Sequence, residues 1–351
     1  MRKKAQYNVA VVGAGAVGVE MLRVLREHDF PVGDLRVLAR SRRVMTVDDR
    51  QYQVEEIKPA AFENIDFALF AGTEGEKGAA VTYAPEAVKR GAVVIDNGAD
   101  FRMDRSVPLV VPEVNGAAAK KHKGIIANPN CSTIQMVVAL APIHRIAGVK
   151  RIIAATYQAA SGAGRGALQQ LWDETARLHA QSDVHTAAQR PRDVKNVAAG
   201  AAFAHQIGFN LFPQIGGFAD EDYTSEEWKM VHETHKILGS KKIKISVTCV
   251  RVPVLNAHSE AVYVETADEI TVAAAREVLA QSPGIVLMDE PANGVYPMPA
   301  QVSGTDPVYV GRIRRDPFVK KGMWLWVVSD NLRKGAATNA VQIAEYLIGA
   351  A

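Results

Sequence analysis

The first 130 residues alternate short apolar runs with stretches of helical spacing. The apolar runs predict strands at residues 8–12, 35–39, 66–70, 92–96 and 124–127. Helices are predicted at 18–28, at 84–90 and at roughly 132–146. This alternation of strands and helices predicts a parallel sheet that is covered by helices on both faces.

From residue 150 the candidate strands become longer, and several of them alternate in polarity. These strands are VKRIIAATYQ, KIKISVTCVRVPV, EAVYVET, PVYVGRIRR and MWLWVVS. Helical spacing recurs at 166–180, 271–281 and 334–350. The pattern favours a largely antiparallel sheet with one covered face. We therefore predict an α/β protein with one domain over 1–131 and a second α+β domain over 132–331, and the helix in 332–351 packing back on the first.

Composition and charge narrow the class of protein. The chain has 351 residues, enough for two domains, and its net charge of +3 is too small to argue for nucleic acid. Its apolar stretches fall short of the ~20 residues of a membrane helix. The basic start before an apolar run resembles a signal peptide, but the glycine pattern that follows explains it better. With only two cysteines, a reducing cytoplasm is expected.

A glycine-rich turn joins the first strand to the first helix. Gly13, Gly15 and Gly18 permit a tight turn, close approach of a pyrophosphate and close helix packing. Ala16 and Val17 open the helix, whose N–H groups attract anions. The motif predicts a Rossmann-type dinucleotide site; the alternative is a glycine-rich turn without a ligand.

The second strand lacks the acidic residue that usually binds the ribose of NAD. It ends instead at Arg40 and Ser41, in the run Ala-Arg-Ser-Arg-Arg. Guanidinium and hydroxyl groups suit a 2′-phosphate, so the sequence favours NADP. A solvated basic turn is the alternative, but it leaves the missing acid unexplained.

Cys131 lies in the run Asn-Pro-Asn-Cys-Ser-Thr, between a turn and a predicted helix. The helix start favours a thiolate, and the predicted role is nucleophile. Asn130 could donate to a developing oxyanion, together with a main-chain N–H. The alternative is a buried inert cysteine, which fits Cys249 well because it lies inside a strand.

A thiol nucleophile needs a base, and His258 is the favoured histidine because it lies in a short break between two strands. Arg251 and Arg102 could bind carboxylate or phosphate groups, although a lone arginine more often forms a surface ion pair. Glu226 and Lys229 are three residues apart and would share a helix face. A solvated salt bridge is the alternative for that pair.

The chain resembles the aspartate-semialdehyde dehydrogenases of bacteria over nearly its whole length. The matching runs are VAVVGAGAVG, YAPEAVKRGAVVIDN, FRMD, VPLVVPEVN, GIIANPNCST, ATYQAASGAG, YTSEEWKM, CVRVPVLNAHSE and SDNLRKGAATNAVQIAE. Nine runs in the right order make the resemblance specific. It implies the phosphate-dependent oxidation of L-aspartate 4-semialdehyde by NADP, and the reverse reaction in lysine, threonine, methionine and diaminopimelate biosynthesis.

The resemblance also implies roles for particular residues. Cys131 is the nucleophile, His258 the acid/base, and Gln158 orients the acyl intermediate. Arg251 binds the substrate carboxylate, and Glu226 binds its amino group.

By the same resemblance, Arg102 and Lys229 bind inorganic phosphate. It also implies that Ser161, Gly162 and Asn331 contact the cofactor. No metal site is assigned, and a homodimer or a dimer of dimers is expected, with small-molecule substrates and no nucleic-acid or membrane partner.

Three departures from the family pattern concern the cofactor side. The glycine loop is one residue shorter than GATGAVG, the stretch 71–78 replaces a Ser-Ala-Gly-Gly loop, and residues 96–100 differ from Asp-Asn-Ser-Ser.

A reductase of N-acetylglutamyl phosphate shares the cysteine and histidine, but the Glu226–Lys229 pair favours the aspartyl enzyme. A catalytically silent member would be expected to lack Cys131.

Overall fold

The computed structural model describes residues 3–72, 78–181, 183–189 and 202–350, and within them it contains two sheets. The strands are β1 (Tyr7–Val12), β2 (Val32–Ala39), β3 (Arg43–Val47), β4 (Arg50–Glu56), β5 (Phe67–Phe70), β6 (Val93–Asp96), β7 (Ile125–Ala127), β8 (Val149–Gln158), β9 (Lys244–Arg251), β10 (His258–Thr266), β11 (Ile285–Leu287), β12 (Val308–Arg315) and β13 (Gly322–Ser329). The α-helices are α1 (Ala16–Glu27), α2 (Ala79–Lys89), α3 (Pro112–Asn115), α4 (Cys131–Ala147), α5 (Arg165–Gln181), α6 (Val184–Gln189), α7 (Ser225–Ile237), α8 (Val272–Ala280), α9 (Pro299–Val302) and α10 (Thr338–Ile348).

The first sheet has the order β3-β4-β2-β1-β5-β6-β7, and only the β3–β4 pair is antiparallel. The predicted parallel sheet is therefore confirmed. When the edge strand β3 is left out, the strand order is the one found in dinucleotide-binding folds. In these folds the ligand lies where the strand order reverses. That point lies between β1 and β5, beside the Gly13 turn. The stretch 71–78 is one of the three places where the chain departs from the family pattern. Its residues 73–77 lie outside the described residues.

The second sheet has the order β11-β12-β13-β10-β8-β9 and is largely antiparallel, as predicted, with parallel pairs at β8–β9 and β11–β12. Helices α4, α7 and α8 pack on it. One boundary prediction was wrong: β9 ends at Arg251, and His258 is the first residue of β10 rather than part of the break before it. The break is residues 252–257.

Helix α4 has apolar residues on all sides, because it is buried almost along its whole length. Ile134, Val138 and Leu140 belong to one apolar core with the inner face of the second sheet. None of the helices in the described ranges is long and apolar enough to cross a membrane.

The predicted helix at 334–350 is a π turn, Arg333–Ala337, followed by α10. Val341 and Ile343 of α10 share an apolar core with β1 and α1 of the first sheet. The domain boundary after residue 131 stays a prediction.

A charged cluster joins these elements to the chain before β12. Asp306 accepts hydrogen bonds from Arg333, at 3.0 Å to each of two guanidinium nitrogens, and lies 3.3 Å from Nε2 of His28. Nδ1 of His28 lies 2.9 Å from Glu345 of α10. The two carboxylates raise the pKa of His28 to about 9. The cluster thus contributes stability while His28 is protonated.

We expect His28→Asn to destabilise the protein in a pH-dependent way. Because the pKa of His28 in the folded state exceeds its unfolded value of ~6.5, the stabilisation is complete below ~6.5 and is lost as the pH rises through 9. Denaturant unfolding should show a deficit of ~1–2 kcal/mol at pH 6, allowing for partial exposure, which shrinks towards zero above pH ~10. A deficit that is constant over this range would contradict the role of the ion pairs.

Candidate active site

Asn130 is the N-cap of α4 and fixes the position of Cys131, the first residue of the helix. Its side-chain oxygen accepts hydrogen bonds from the main-chain N–H groups of Ser132, at 3.0 Å, and Thr133, at 3.2 Å. A side-chain cap of this kind contributes about 1 kcal/mol. Because the side-chain oxygen of Asn130 accepts hydrogen bonds from the helix, its side-chain amide nitrogen is the atom that could donate a hydrogen bond to an oxyanion.

The turn before the cap is held by buried amides. Nδ2 of Asn128 donates to Oδ1 of Asn97 at 2.5 Å, and Oδ1 of Asn128 accepts from Nδ2 of Asn339 at 2.6 Å. The turn is therefore tied to both β6 and α10. Because α4 packs on the second sheet, Cys131 lies between that sheet and the end of β6.

One face of α7 lies against this turn. Oε1 of Glu226 accepts from the Asn130 amide at 2.8 Å, and Oε2 of Glu233 accepts from the Asn130 main-chain N–H at 2.7 Å. Glu226 also pairs with Lys229 at 3.2 Å, on the shared face that their spacing predicts. The alternative of a solvated salt bridge is wrong for Glu226, because its side chain is buried. Lys229, the Asn130 amide and Arg102 lower the pKa of Glu226 below its usual value despite burial, so it stays ionised.

The electrostatics of the thiol differ from the expectation. Burial, and next the charge of Glu226, raises the pKa of Cys131 to about 12, and the nearby Arg102 and Arg251 offset this only in part. The main-chain N–H of Ser132 at the helix start lowers the pKa of Cys131, in the expected direction, but desolvation outweighs this N–H and the two arginines. The thiol must lose its proton when it reacts.

Across the second sheet, polar residues form one row at the end nearest Cys131. Arg251 of β9 is in register with Gln158 of β8, and His258 of β10 is in register with Ser329 of β13. Residues in register share a face of a sheet. All four side chains are buried.

His258 is held by the main chain of the loop that follows β8. Its Nδ1 accepts a hydrogen bond from the N–H of Ala159 at 3.0 Å. Complete burial, and then the charge of Arg251, lowers the pKa of His258 well below its usual value. The ring is therefore neutral near pH 7.

Further contacts link this row to α7 and to the next turn. Nε2 of Gln158 lies 3.4 Å from Oε1 of Glu226, the oxygen that also binds Asn130. A side chain at Gly162 would lie 3.0 Å from the His258 ring and 3.2 Å from Arg251. The structure thus places Gln158, Arg251 and His258 together, on the side of the second sheet that faces α4 and α7.

Arg102 lies on the other side of the Asn-Pro-Asn turn, and it is buried. It donates to the carbonyl oxygens of Asn128, at 3.0 Å, and Asn97, at 2.7 Å, and to Glu233 at 3.1 Å. It does not form the surface ion pair that we considered. A cavity of about 280 Å³ opens here, lined in part by Arg102, Lys229 and Ser225.

The glycine turn has the geometry of a dinucleotide site. Gly13 has a φ of +110°, and a Cβ on Gly18 would lie 1.8 Å from the Gly13 carbonyl oxygen, so both positions require glycine. Gly15 has no described atom within 4 Å of an added Cβ. Ala16 and Val17 begin α1 without a side-chain cap from the described residues. The open side of Gly15 and the uncapped N–H groups fit a pyrophosphate.

The other predicted cofactor residues fall in two places. Arg40 and Ser41 are exposed where β2 ends. Ser161 donates to Oδ1 of Asn331 at 3.0 Å, and that oxygen also accepts from the N–H of Ala257, next to His258. The second group therefore lies beside the His258 strand, and its contacts with a cofactor stay predictions.

The chain is similar to known dehydrogenases over nearly its whole length. Residues 8–122 match the family described as semialdehyde dehydrogenase, NAD binding domain, and residues 140–334 match semialdehyde dehydrogenase, dimerisation domain. The chain is 49% identical to an aspartate-semialdehyde dehydrogenase of Aquifex aeolicus, over 97% of this chain and 98% of that protein. For the Bacillus subtilis enzyme the identity is 46%, over 97% of each chain. The crystal structure of aspartate semialdehyde dehydrogenase II complexed with ASA from Vibrio cholerae has a TM-score of 0.89 and 43% identity, over 99% of each chain.

The chain belongs to the aspartate-semialdehyde dehydrogenase family. It is an NADP-dependent oxidoreductase of amino-acid biosynthesis, and it carries a dimerisation domain.

Three residues of the dehydrogenase site were missed in the sequence. Glu233 binds both Arg102 and Asn130, and its position seven residues after Glu226 on one helix was the available signal. Lys236, one turn further, donates to the carbonyl oxygens of Arg102, Asp104 and Val107 at 2.6, 2.7 and 2.8 Å. Gly335 packs on the nucleophile: a Cβ there would lie 2.8 Å from Cβ of Cys131.

We expect Gly335→Ala to lower kcat about tenfold to a hundredfold, because the added methyl group must displace Cys131, and small displacements of reacting groups are costly. Gly217→Ala is the matched control, since an added Cβ there has no described atom within 4 Å. Turnover and thermal midpoint would be measured for both variants. Wild-type kcat in a folded Gly335→Ala protein would show that the thiol tolerates displacement.

Proposed function

We propose that the enzyme interconverts L-aspartyl 4-phosphate and L-aspartate 4-semialdehyde through a thioester on Cys131. The observation that carries this mechanism is the position of Cys131 at the start of α4, between buried carboxylates on one side and a row of buried polar groups on the other. A covalent thioester retains the energy of oxidation as an activated acyl group.

The residues of the glycine turn fit the cofactor. Gly15 leaves room for the pyrophosphate, the start of α1 supplies N–H groups, and Arg40 with Ser41 would hold the 2′-phosphate of NADP. When bound, NADP exchanges the hydride with the substrate carbon. Ser161 and Asn331 lie beside the His258 strand, where they would border the nicotinamide end.

The substrate amino acid is held by opposite charges. Arg251 binds its carboxylate, and ionised Glu226 binds its ammonium group. Gln158 shares Oε1 of Glu226 and orients the acyl group. These contacts direct the reacting carbon towards Cys131. The second N–H of the Asn130 amide, together with His258, would stabilise the negative charge that develops on the carbonyl oxygen.

Arg102 and Lys229 bind the phosphate in the 280 Å³ cavity between them. Arg102 uses three of its N–H donors for Asn97, Asn128 and Glu233, which among the described residues leaves two of the five for an anion. The bound phosphate attacks the thioester and returns Cys131 as thiolate.

The enzyme is proposed to act as a homodimer, or as a dimer of such dimers. The outer face of the second sheet carries Ile153, Tyr157 and Trp326, and a cavity of about 410 Å³ lies against it with mainly apolar walls. An apolar sheet face of this kind is typical of subunit contacts. A cytoplasmic location is part of the proposal, because Cys131 works only while reduced.

The test is an aldehyde oxidation assay with phosphate titration, run in parallel with NADP and NAD. We expect strict phosphate dependence and a higher kcat/KM with NADP. Arg102→Ala should raise the phosphate KM at least about tenfold, since a charged hydrogen bond contributes about 1.5–3 kcal/mol, and leave the aldehyde KM nearly unchanged.

Arg105→Ala, at an exposed position of the same loop, is the control. Because Arg102→Ala leaves Glu233 unpaired, the thermal midpoint of each variant is measured as well. Turnover without phosphate would contradict the proposed reaction. An unchanged phosphate KM in Arg102→Ala would remove Arg102 from the anion site.

A further inference from the structure

We propose that Phe203 is a positioning residue that sets the specificity for the substrate carboxylate. Its ring covers one face of the Arg251 guanidinium group and leaves the N–H groups at the edge of that group for the carboxylate. The inference rests on the proposed role of Arg251 in binding the substrate. No run that carries the family resemblance contains Phe203.

The aromatic ring and the guanidinium group lie against each other in a buried place. Cζ of Arg251 lies 5.7 Å from the centroid of the Phe203 ring, within the range of a cation–π interaction. The exposed fractions of the two residues are 7% for Phe203 and 4% for Arg251. Because little water reaches either group, the attraction is screened less than it would be at the surface. The ring therefore helps to hold a buried positive charge beside the active site.

The guanidinium group of Arg251 is planar, and its five N–H groups point outwards in that plane. Nη1 donates one of them to the carbonyl oxygen of Ala159 at 2.5 Å. Gly162 approaches the same nitrogen, since an added Cβ there would lie 3.2 Å from Nη1. The hydrogen bond fixes the rotation of the group within its plane, and the Phe203 ring fixes the plane itself. A fixed plane suits a carboxylate, which binds a guanidinium group through two parallel N–H···O bonds.

The segment that carries Phe203 is tied to the main chain of Arg251. The N–H of Phe212 donates to the Arg251 carbonyl oxygen at 3.1 Å, and the N–H of Arg251 donates to the Phe212 carbonyl oxygen at 2.9 Å. The rings of Phe212 and Phe203 meet edge to face, with their centroids 5.6 Å apart. The segment 203–212 thus binds β9 through its backbone at one end and covers the guanidinium group with a ring at the other.

Two side chains of α5 hold the same segment. Oε1 of Gln170 accepts a hydrogen bond from the main-chain N–H of Phe203 at 3.1 Å. Oε2 of Glu174 accepts from the N–H groups of Ile207, at 2.7 Å, and Gly208, at 3.0 Å. The side chains of Phe203 and Ile207 belong to one apolar cluster. The backbone of Phe203 is therefore fixed by buried hydrogen bonds, and its ring is fixed by packing.

The fixed guanidinium group affects the choice of substrate. A guanidinium group that can rotate loses rotamer freedom when it binds a carboxylate, and this loss lowers the affinity. Because Phe203 holds the group before the substrate arrives, the loss occurs on folding instead of on binding. The Phe203 ring thus strengthens the binding of aldehydes that carry a carboxylate and has no effect on those that lack one. The reaction at Cys131 itself is unchanged.

Ring fluorination tests the contact with almost no change of shape. Phe203 would be replaced by phenylalanines that carry one, two or three fluorines, which withdraw electrons from the ring face that attracts the cation. We expect the KM for L-aspartate 4-semialdehyde to rise with each fluorine, by about threefold to thirtyfold for three, the range of a cation–π contact. The values of kcat, the phosphate KM and the NADP KM should stay within about twofold.

Phe203→Leu, which removes the ring, should raise the same KM at least as much. Phe209→Leu, at an exposed position of the same segment, is the matched control, and the thermal midpoint of both variants is measured. The α-carboxamide analogue of the aldehyde, which has no carboxylate, is the matched substrate. Its kcat/KM in the wild type should be at least about tenfold below that of the aldehyde, and it should not change along the fluorine series.

An aldehyde KM that is constant along the fluorine series would overturn the proposal, because packing depends on the shape of the ring and not on its charge distribution. An equal rise of the KM for the carboxamide analogue would overturn it too, since the ring would then not act through the carboxylate. If the wild-type enzyme uses both substrates equally well, the role of Arg251 itself fails, and the proposal fails with it. The two failures are therefore distinguishable.

Discussion

The site depends on how two buried carboxylates of α7 hold Asn130. Glu226 binds its side chain and Glu233 binds its main chain, so the residue that caps α4 is fixed twice. A buried carboxylate is costly unless it is paired, and here Lys229 and Arg102 pair with the two acids. The cations proposed to bind phosphate are thus also the partners that make the carboxylates tolerable beside the nucleophile.

This constraint also explains why the nucleophile lies between the sheets. Helix α4 is buried on the second sheet, while the turn before it is tied to β6 of the first sheet and to α10 through Asn128. The turn at Gly335 closes the remaining side and leaves no space for a side chain. Groups that belong to distant parts of the sequence therefore meet at one thiol.

The elements that could be predicted from the sequence are the buried ones, because burial requires apolar residues that stand out as runs in the chain. Five of the six parallel strands of the first sheet, and helix α4, were predicted from apolar runs, and the structure confirms them. The β3–β4 hairpin was missed because only Val47 and Val54 in it are buried, which leaves a polar strand pattern. The pKa of Cys131 could not be predicted, because it depends on desolvation by residues distant in sequence. For the same reason Glu233 was seen only once α7 lay against the Asn130 turn.

The thioester on Cys131 is the central claim, and mass spectrometry of quenched enzyme tests it most directly. The enzyme would be mixed with aspartate semialdehyde and NADP without phosphate, quenched in acid, digested and compared with a Cys131→Ser control. The account predicts one aspartyl group on the peptide that contains Cys131, lost when phosphate is added before the quench and missing from the control. An unmodified Cys131 peptide, or an aspartyl group on Cys249, would contradict it.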